Sequence, residues 1–170
     1  MIDDVAVLKR RIRLLLVFFI VCLVLSGVTA FPLCTELGLL NRMAGEGSTI
    51  GRSLPGLGTW ISRVHHGVAE MDRLYPFMAY GTDWLAFAHI VIGIAFIGPL
   101  RDPVKNVWVV EFGMIACVLV IPLALICGQI RGIPLLWRLI DCSFGVIGIM
   151  PLWLVRRYIR RIVQIESHTE

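Results

Sequence analysis

Charge is what this chain has least of. Asp, Glu, Lys and Arg make up 16% of its 170 residues, against about a quarter in soluble globular domains. With 58% apolar residues and a mean hydropathy of +0.83, an ordinary water-soluble domain is excluded. No stretch of about ten residues alternates apolar and polar positions, so a membrane β-barrel is excluded as well. What remains is a helical membrane protein.

Other absences narrow the chemistry. There is no C-x-x-C, so neither a thioredoxin-like redox pair nor a zinc cluster is indicated. The five cysteines (Cys22, Cys34, Cys117, Cys127 and Cys142) are odd in number and read as unpaired small hydrophobes, with a Cys34–Cys127 bridge as the alternative. The glycine-rich stretch "GEGSTIGRSLPGLG" at 45–58 lacks the Gly-Lys and the preceding strand of a phosphate-binding loop. No G-x-S-x-G or H-E-x-x-H occurs, so nucleophilic and zinc-protease chemistry have no signature. No internal repeat is visible, and no folded basic domain exists to present a nucleic-acid surface.

The apolar residues that are present form four windows long enough to cross a bilayer, about 20 residues each. They cover about 14–31, 82–100, 107–129 and 133–155. The first, "LLLVFFIVCLVLSGVTAF", has a basic leader and the small-residue spacing of a cleavage site, but it is long for a signal peptide and reads as an uncleaved anchor. Short links, "RDPVKN" and "IRG", predict antiparallel neighbours. The expectation is one all-α domain over 1–170: four transmembrane helices in an antiparallel bundle.

Basic residues set the predicted orientation. Lys9, Arg10, Arg11 and Arg13 precede the first span, Arg101 and Lys105 lie between the second and third, and Arg156, Arg157, Arg160 and Arg161 follow the fourth. Four spans put these ten on one side, against Arg42, Arg52, Arg63, Arg73 and Arg131 on the other. The positive-inside rule then places both termini in the cytoplasm of a plasma (inner) membrane, with the basic ends on anionic lipid headgroups.

Residues 32–81 form the single long extramembrane segment. Its middle, 45–58, reads as loop from its glycines and proline. Beyond it Leu57, Ile61, Val64, Val68, Met71 and Tyr75 recur in steps of four and three, which predicts an amphipathic helix over about 59–75, capped by Thr59 and ended by Pro76. Its opposite face carries Arg63, His65, His66, Glu70, Asp72 and Arg73, so it is expected to lie in the outer interface or over the mouth of the bundle.

Ionisable residues inside apolar windows are the candidates for function, since each costs about 2.5–3.5 kcal/mol to insert. His89 and Asp141 each lie seven residues past the outer start of a span, about 10 Å deep at the helical rise. Arg138 is one turn from Asp141 on the same face. Gly145 and Gly148 continue that face and would let a neighbouring helix approach closely. Asp83 marks the rim of the second span and counts with Arg138, Asp141 and His89 among the candidate ligand-binding residues. Glu111 lies about 6 Å in from the opposite surface, within reach by depth of Arg101, Lys105 and Arg156, and reads as one half of a structural ion pair.

The leading expectation is a protein that binds a lipid, quinone or other small amphiphile, or a subunit of a membrane complex or homo-oligomer. Arg138 would take an anionic or carbonyl group, Asp141 would orient it, and His89 would exchange a proton. The alternative is a membrane enzyme acting on a lipid headgroup or isoprenoid with His89 and Asp141 as acid and base. A further alternative is a haem-binding electron-transfer subunit, with His65 or His66 and His89 as axial ligands. Zinc on His65, His89 and a carboxylate is no better supported.

Overall fold

A computed structural model describes residues 2–168. Every regular element among them is helical. In chain order these are α1 (Ile2–Ala30), α2 (Leu33–Ala44), α3 (Thr49–Ser53), α4 (Pro55–Leu74), a 3-10 turn (Pro76–Ala79), α5 (Tyr80–Ala95), α6 (Ile97–Arg101), α7 (Val107–Ile130) and α8 (Leu135–Ser167). Four stretches are long and apolar enough to cross a membrane: Asp4–Ala30, Pro76–Arg101, Val107–Ile130 and Leu135–Ser167. By length and composition they mark a membrane-embedded chain. Large apolar side chains are exposed along all four, among them Phe18, Ile94, Leu123 and Phe144, as expected where the solvent is lipid.

The chain divides into two compact units. The first joins its two ends, up to Leu23 and from Val91 onward. Its core is made of helix-spaced rows: Leu8, Ile12 and Leu16 on α1, Val109 and Val110 on α7, and Leu152, Val155, Ile159 and Ile162 on α8. Phe96 is fully buried among them, with its ring 4.8 Å from that of Phe19.

Phe96 also marks an interruption that the sequence window 82–100 does not show. Pro99 has no N–H to give the carbonyl four residues earlier, at Ala95, and its ring crowds that carbonyl. The helix breaks there into α5 and α6.

Helices α7 and α8 form an antiparallel hairpin. The turn follows from Gly132, whose φ of +69° lies in the left-handed region. The Gly132 N–H donates to the Gln129 carbonyl and the Ile133 N–H to the Gly128 carbonyl, the paired bonds of a glycine-terminated helix. Pro134 then starts the next helix. Gly145 sits so close to α7 that a Cβ there would collide with the Cys117 carbonyl oxygen, and a Cβ at Gly148 would lie 3.0 Å from the Cys117 Sγ. Pro122 and Pro151 are accommodated within unbroken α7 and α8.

The second unit, Val24–Ile90, corrects the reading of the glycine-rich stretch as loop. Ser48 caps α3 by accepting from the Gly51 N–H at 2.9 Å, and Pro55 occupies the first turn of α4, where its fixed φ suits a helix start. Helix α4 therefore begins four residues before Thr59. A Cβ at Gly58 would lie 2.8 Å from the Gly51 Cα, so these glycines serve close helix contact rather than freedom. Helix α2, which the apolar pattern does not announce, packs on α4, as does α3. The apolar stripe of α4 is anchored by Ile61, 2% exposed.

Candidate functional site

In the first unit, α8 carries Arg138 and Asp141 one turn apart, both half-buried. The i,i+3 spacing would let them pair, yet they do not lie within ion-pair distance. Gly128 of α7 leaves room for the Arg138 stem: a Cβ there would meet the Arg138 Cδ at 2.6 Å. The side chain therefore runs onto α7, and its Nη1 donates to the Leu125 carbonyl at 3.2 Å. Its Nε is buried without a hydrogen-bond partner among the described residues. Leaving a buried donor unsatisfied costs about 1–3 kcal/mol. The Asp141 carboxylate has no hydrogen bond or ion pair among the described residues. The thiol of the next residue, Cys142, reaches the Ile121 carbonyl at 3.9 Å, and all five cysteines are free thiols.

At the other end of the hairpin, Arg156 donates from Nε to the Glu111 Oε1 at 2.7 Å, and its Nη2 is 2.7 Å from the same oxygen. Among the described residues Arg101 forms no ion pair. It is exposed at the end of α6.

In the second unit, the half-buried His89 of α5 turns its Nδ1 onto the Leu85 carbonyl of its own helix, 2.7 Å away. A carbonyl oxygen only accepts, so Nδ1 carries the proton and Nε2 is the nitrogen left to exchange one. Gly27 of α1 gives His89 its place: a Cβ there would lie 2.9 Å from the His89 Cβ and 2.8 Å from the Ala86 carbonyl oxygen. Asp83, two turns before His89, is half-buried and has no ion-pair partner among the described residues.

The same unit holds a polar seam that no sequence motif announces. Ser62 of α4 donates to the Asn41 Oδ1 at 2.7 Å and accepts from the Glu46 N–H at 2.8 Å. The Asn41 amide nitrogen lies 3.5 Å from the His65 Nδ1. Further along, the Cys34 thiol reaches the Val68 carbonyl at 3.8 Å. Burial raises the Cys34 thiol above its ordinary value, and the Asp72 carboxylate adds to the rise. His66, on the opposite face, is exposed. Only the helix-periodic placement of Cys34, Gly38 and Asn41 on α2 and of Ser62, His65 and Asp72 on α4 would have hinted at this seam.

Among the described residues no three His, Cys, Asp or Glu side chains are grouped as a metal ion would require. The ionisable residues placed within the apolar helices thus resolve into four sets: Arg138 and Asp141 on α8, Glu111 paired with Arg156, His89 on its own helix, and Asp83 near the start of α5. Comparison with protein-family models, with curated proteins and with solved structures finds no match to this chain.

Proposed function

We propose that this is an integral protein of the plasma (inner) membrane that binds a small amphiphile, a lipid or a quinone, through Arg138 and Asp141. In this reading the four spans form an antiparallel bundle with both termini cytoplasmic, which the ten-to-five distribution of basic residues supports. Arg138 and Asp141 then lie toward the outer leaflet.

One observation carries the reading. A carboxylate within a span has no partner among the described residues, while the arginine one turn away keeps a buried Nε unsatisfied. Charge is retained in a membrane helix when something meets it. A ligand carrying an acceptor for Arg138 and a donor for Asp141, such as a hydroxylated headgroup or a quinol, meets both. His89 contributes a separate proton-exchanging nitrogen, Nε2.

The test is to purify the full chain in mild detergent and identify co-purifying lipid or quinone by mass spectrometry. Arg138→Gln and Asp141→Asn should each lower ligand content while the helix content by circular dichroism stays unchanged. Undiminished ligand in both variants would end the proposal.

A further inference from the structure

A second, independent feature lies at the opposite end of α8. The N-terminal part of α1, the link between α6 and α7, and the last turns of α8 enclose an open groove of about 430 Å³. Four cations line it, Lys9, Arg13, Arg101 and Lys105, with two carboxylates, Asp102 and Glu166.

The groove's charges are not mutually cancelled. Lys9 reaches Glu166 at 4.0 Å, and Lys105 reaches Asp102 at 3.7 Å. These pairs are long and largely exposed, so each is weak and open to competition. Arg13 and Arg101 have no ion pair among the described residues, and both are exposed. Two guanidinium groups therefore remain available, with two weakly held ammonium groups beside them.

The frame that presents them is fixed. Asp102 accepts from the Lys105 N–H at 3.1 Å, and Asn106 donates from Nδ2 to the Gly98 and Asp102 carbonyls at 3.2 and 2.9 Å. The groove's floor is apolar, with Ile12 fully buried beneath it. A short loop bound at both ends pays little ordering entropy when a ligand arrives. Guanidinium groups suit phosphate oxygens because their N–H groups fork onto two acceptors at once. The groove also stands where the apolar windows end, just before Leu14 and just after Leu100, which is headgroup level for a helix crossing lipid.

We infer that this groove binds a phosphate-bearing anion, with Arg13 and Arg101 as its principal ligands and Lys9 and Lys105 joining them as they exchange their carboxylate partners. An anionic phospholipid headgroup and free inorganic phosphate share this chemistry. The inference stands apart from the Arg138 and Asp141 reading and survives its failure.

The full chain is tested in detergent and in nanodiscs of phosphatidylcholine with or without phosphatidylglycerol. Three proteins are compared: wild type, Arg13→Gln/Arg101→Gln, and the charge-matched control Arg10→Gln/Arg160→Gln, whose residues lie outside the groove. Native mass spectrometry reads retained phosphatidylglycerol, and isothermal titration with inorganic phosphate reads the soluble ligand.

Wild type and control are expected to retain the anion, while the groove variant loses it by about tenfold or more, as removing two basic contacts predicts. Retained phosphatidylglycerol without phosphate binding identifies a lipid site, and phosphate binding with the same variant pattern identifies a soluble ligand. Arg13→Lys/Arg101→Lys keeps the charge but not the fork and should recover part of the binding, which separates lost affinity from lost folding. Equal loss in groove variant and control, or no loss in either, overturns the inference.

Discussion

Arg156 holds the Glu111 carboxylate of the neighbouring helix through two guanidinium nitrogens, each 2.7 Å from the same oxygen. The contact clasps the open end of the α7–α8 hairpin, far from the turn at Gly132. Its side chains remain 30% and 41% exposed, so the weaker end of the ion-pair scale applies. A double-mutant cycle on Glu111→Gln and Arg156→Gln should return a coupling of about 1 kcal/mol. The exchange Glu111→Arg/Arg156→Glu should recover part of what either single reversal loses. A coupling indistinguishable from zero in denaturant titration would show the contact to be incidental.

Gly145 is expected to be the least tolerant glycine of the hairpin. A methyl group at this position meets the Cys117 carbonyl, which belongs to backbone and cannot rotate away. Gly145→Ala should cost about 1–3 kcal/mol through overpacking. Gly67 of α4 has open space around it, so Gly67→Ala should be neutral or gain up to about 1 kcal/mol from helix propensity. Unfolding midpoints of the two variants provide the comparison.

Cys34 should alkylate with a pH profile displaced upward from that of an ordinary thiol. Desolvation is the larger cause and the Asp72 carboxylate the smaller, so Asp72→Asn should return the profile part of the way. The folded chain holds this proton more tightly than the unfolded chain does. Its stabilising contribution is therefore complete below the ordinary thiol pKa and is lost as pH rises through the raised folded value. Iodoacetamide rates measured against pH would decide, and a profile matching free cysteine refutes the expectation.

The seam between α2 and α4 should loosen when Ser62 is lost. Its hydroxyl both donates to Asn41 and holds the Glu46 N–H, so Ser62→Ala frees two partners. A cost of about 1–2 kcal/mol is expected, together with faster amide hydrogen exchange at Glu46. Unchanged exchange at that amide would show that the turn is held by other means.

The four membrane helices were legible because long runs without charge have few other uses. The charged residues within them were equally visible, since each interrupts such a run. Their partners were not. Helical spacing puts Arg138 and Asp141 on one face, but a long side chain over a glycine of the next helix can reach a backbone carbonyl instead. The break at Phe96 was hidden because proline acts four residues upstream, at a position that is itself apolar. The glycines at 51 and 58 were misleading for a related reason. Composition cannot distinguish a glycine that frees the chain from one that lets two helices touch. The contact of Asn41 with Ser62 joins residues on two different helices, and no local pattern encodes it.

The length of α8 has one more consequence. Its charge-free stretch, Cys142 to Val155, is 14 residues and rises about 21 Å. A typical hydrocarbon layer is about 30 Å thick. The charge-free part of α8 is therefore shorter than an average hydrocarbon layer is thick, although α8 is the longest helix among the described residues. For a helix crossing lipid, such a shortfall is met by local thinning of the bilayer or by flanking side chains reaching toward the headgroups, at a cost of fractions of a kcal/mol for each ångström of mismatch. The chain should accordingly be more stable in short-tailed than in long-tailed lipids.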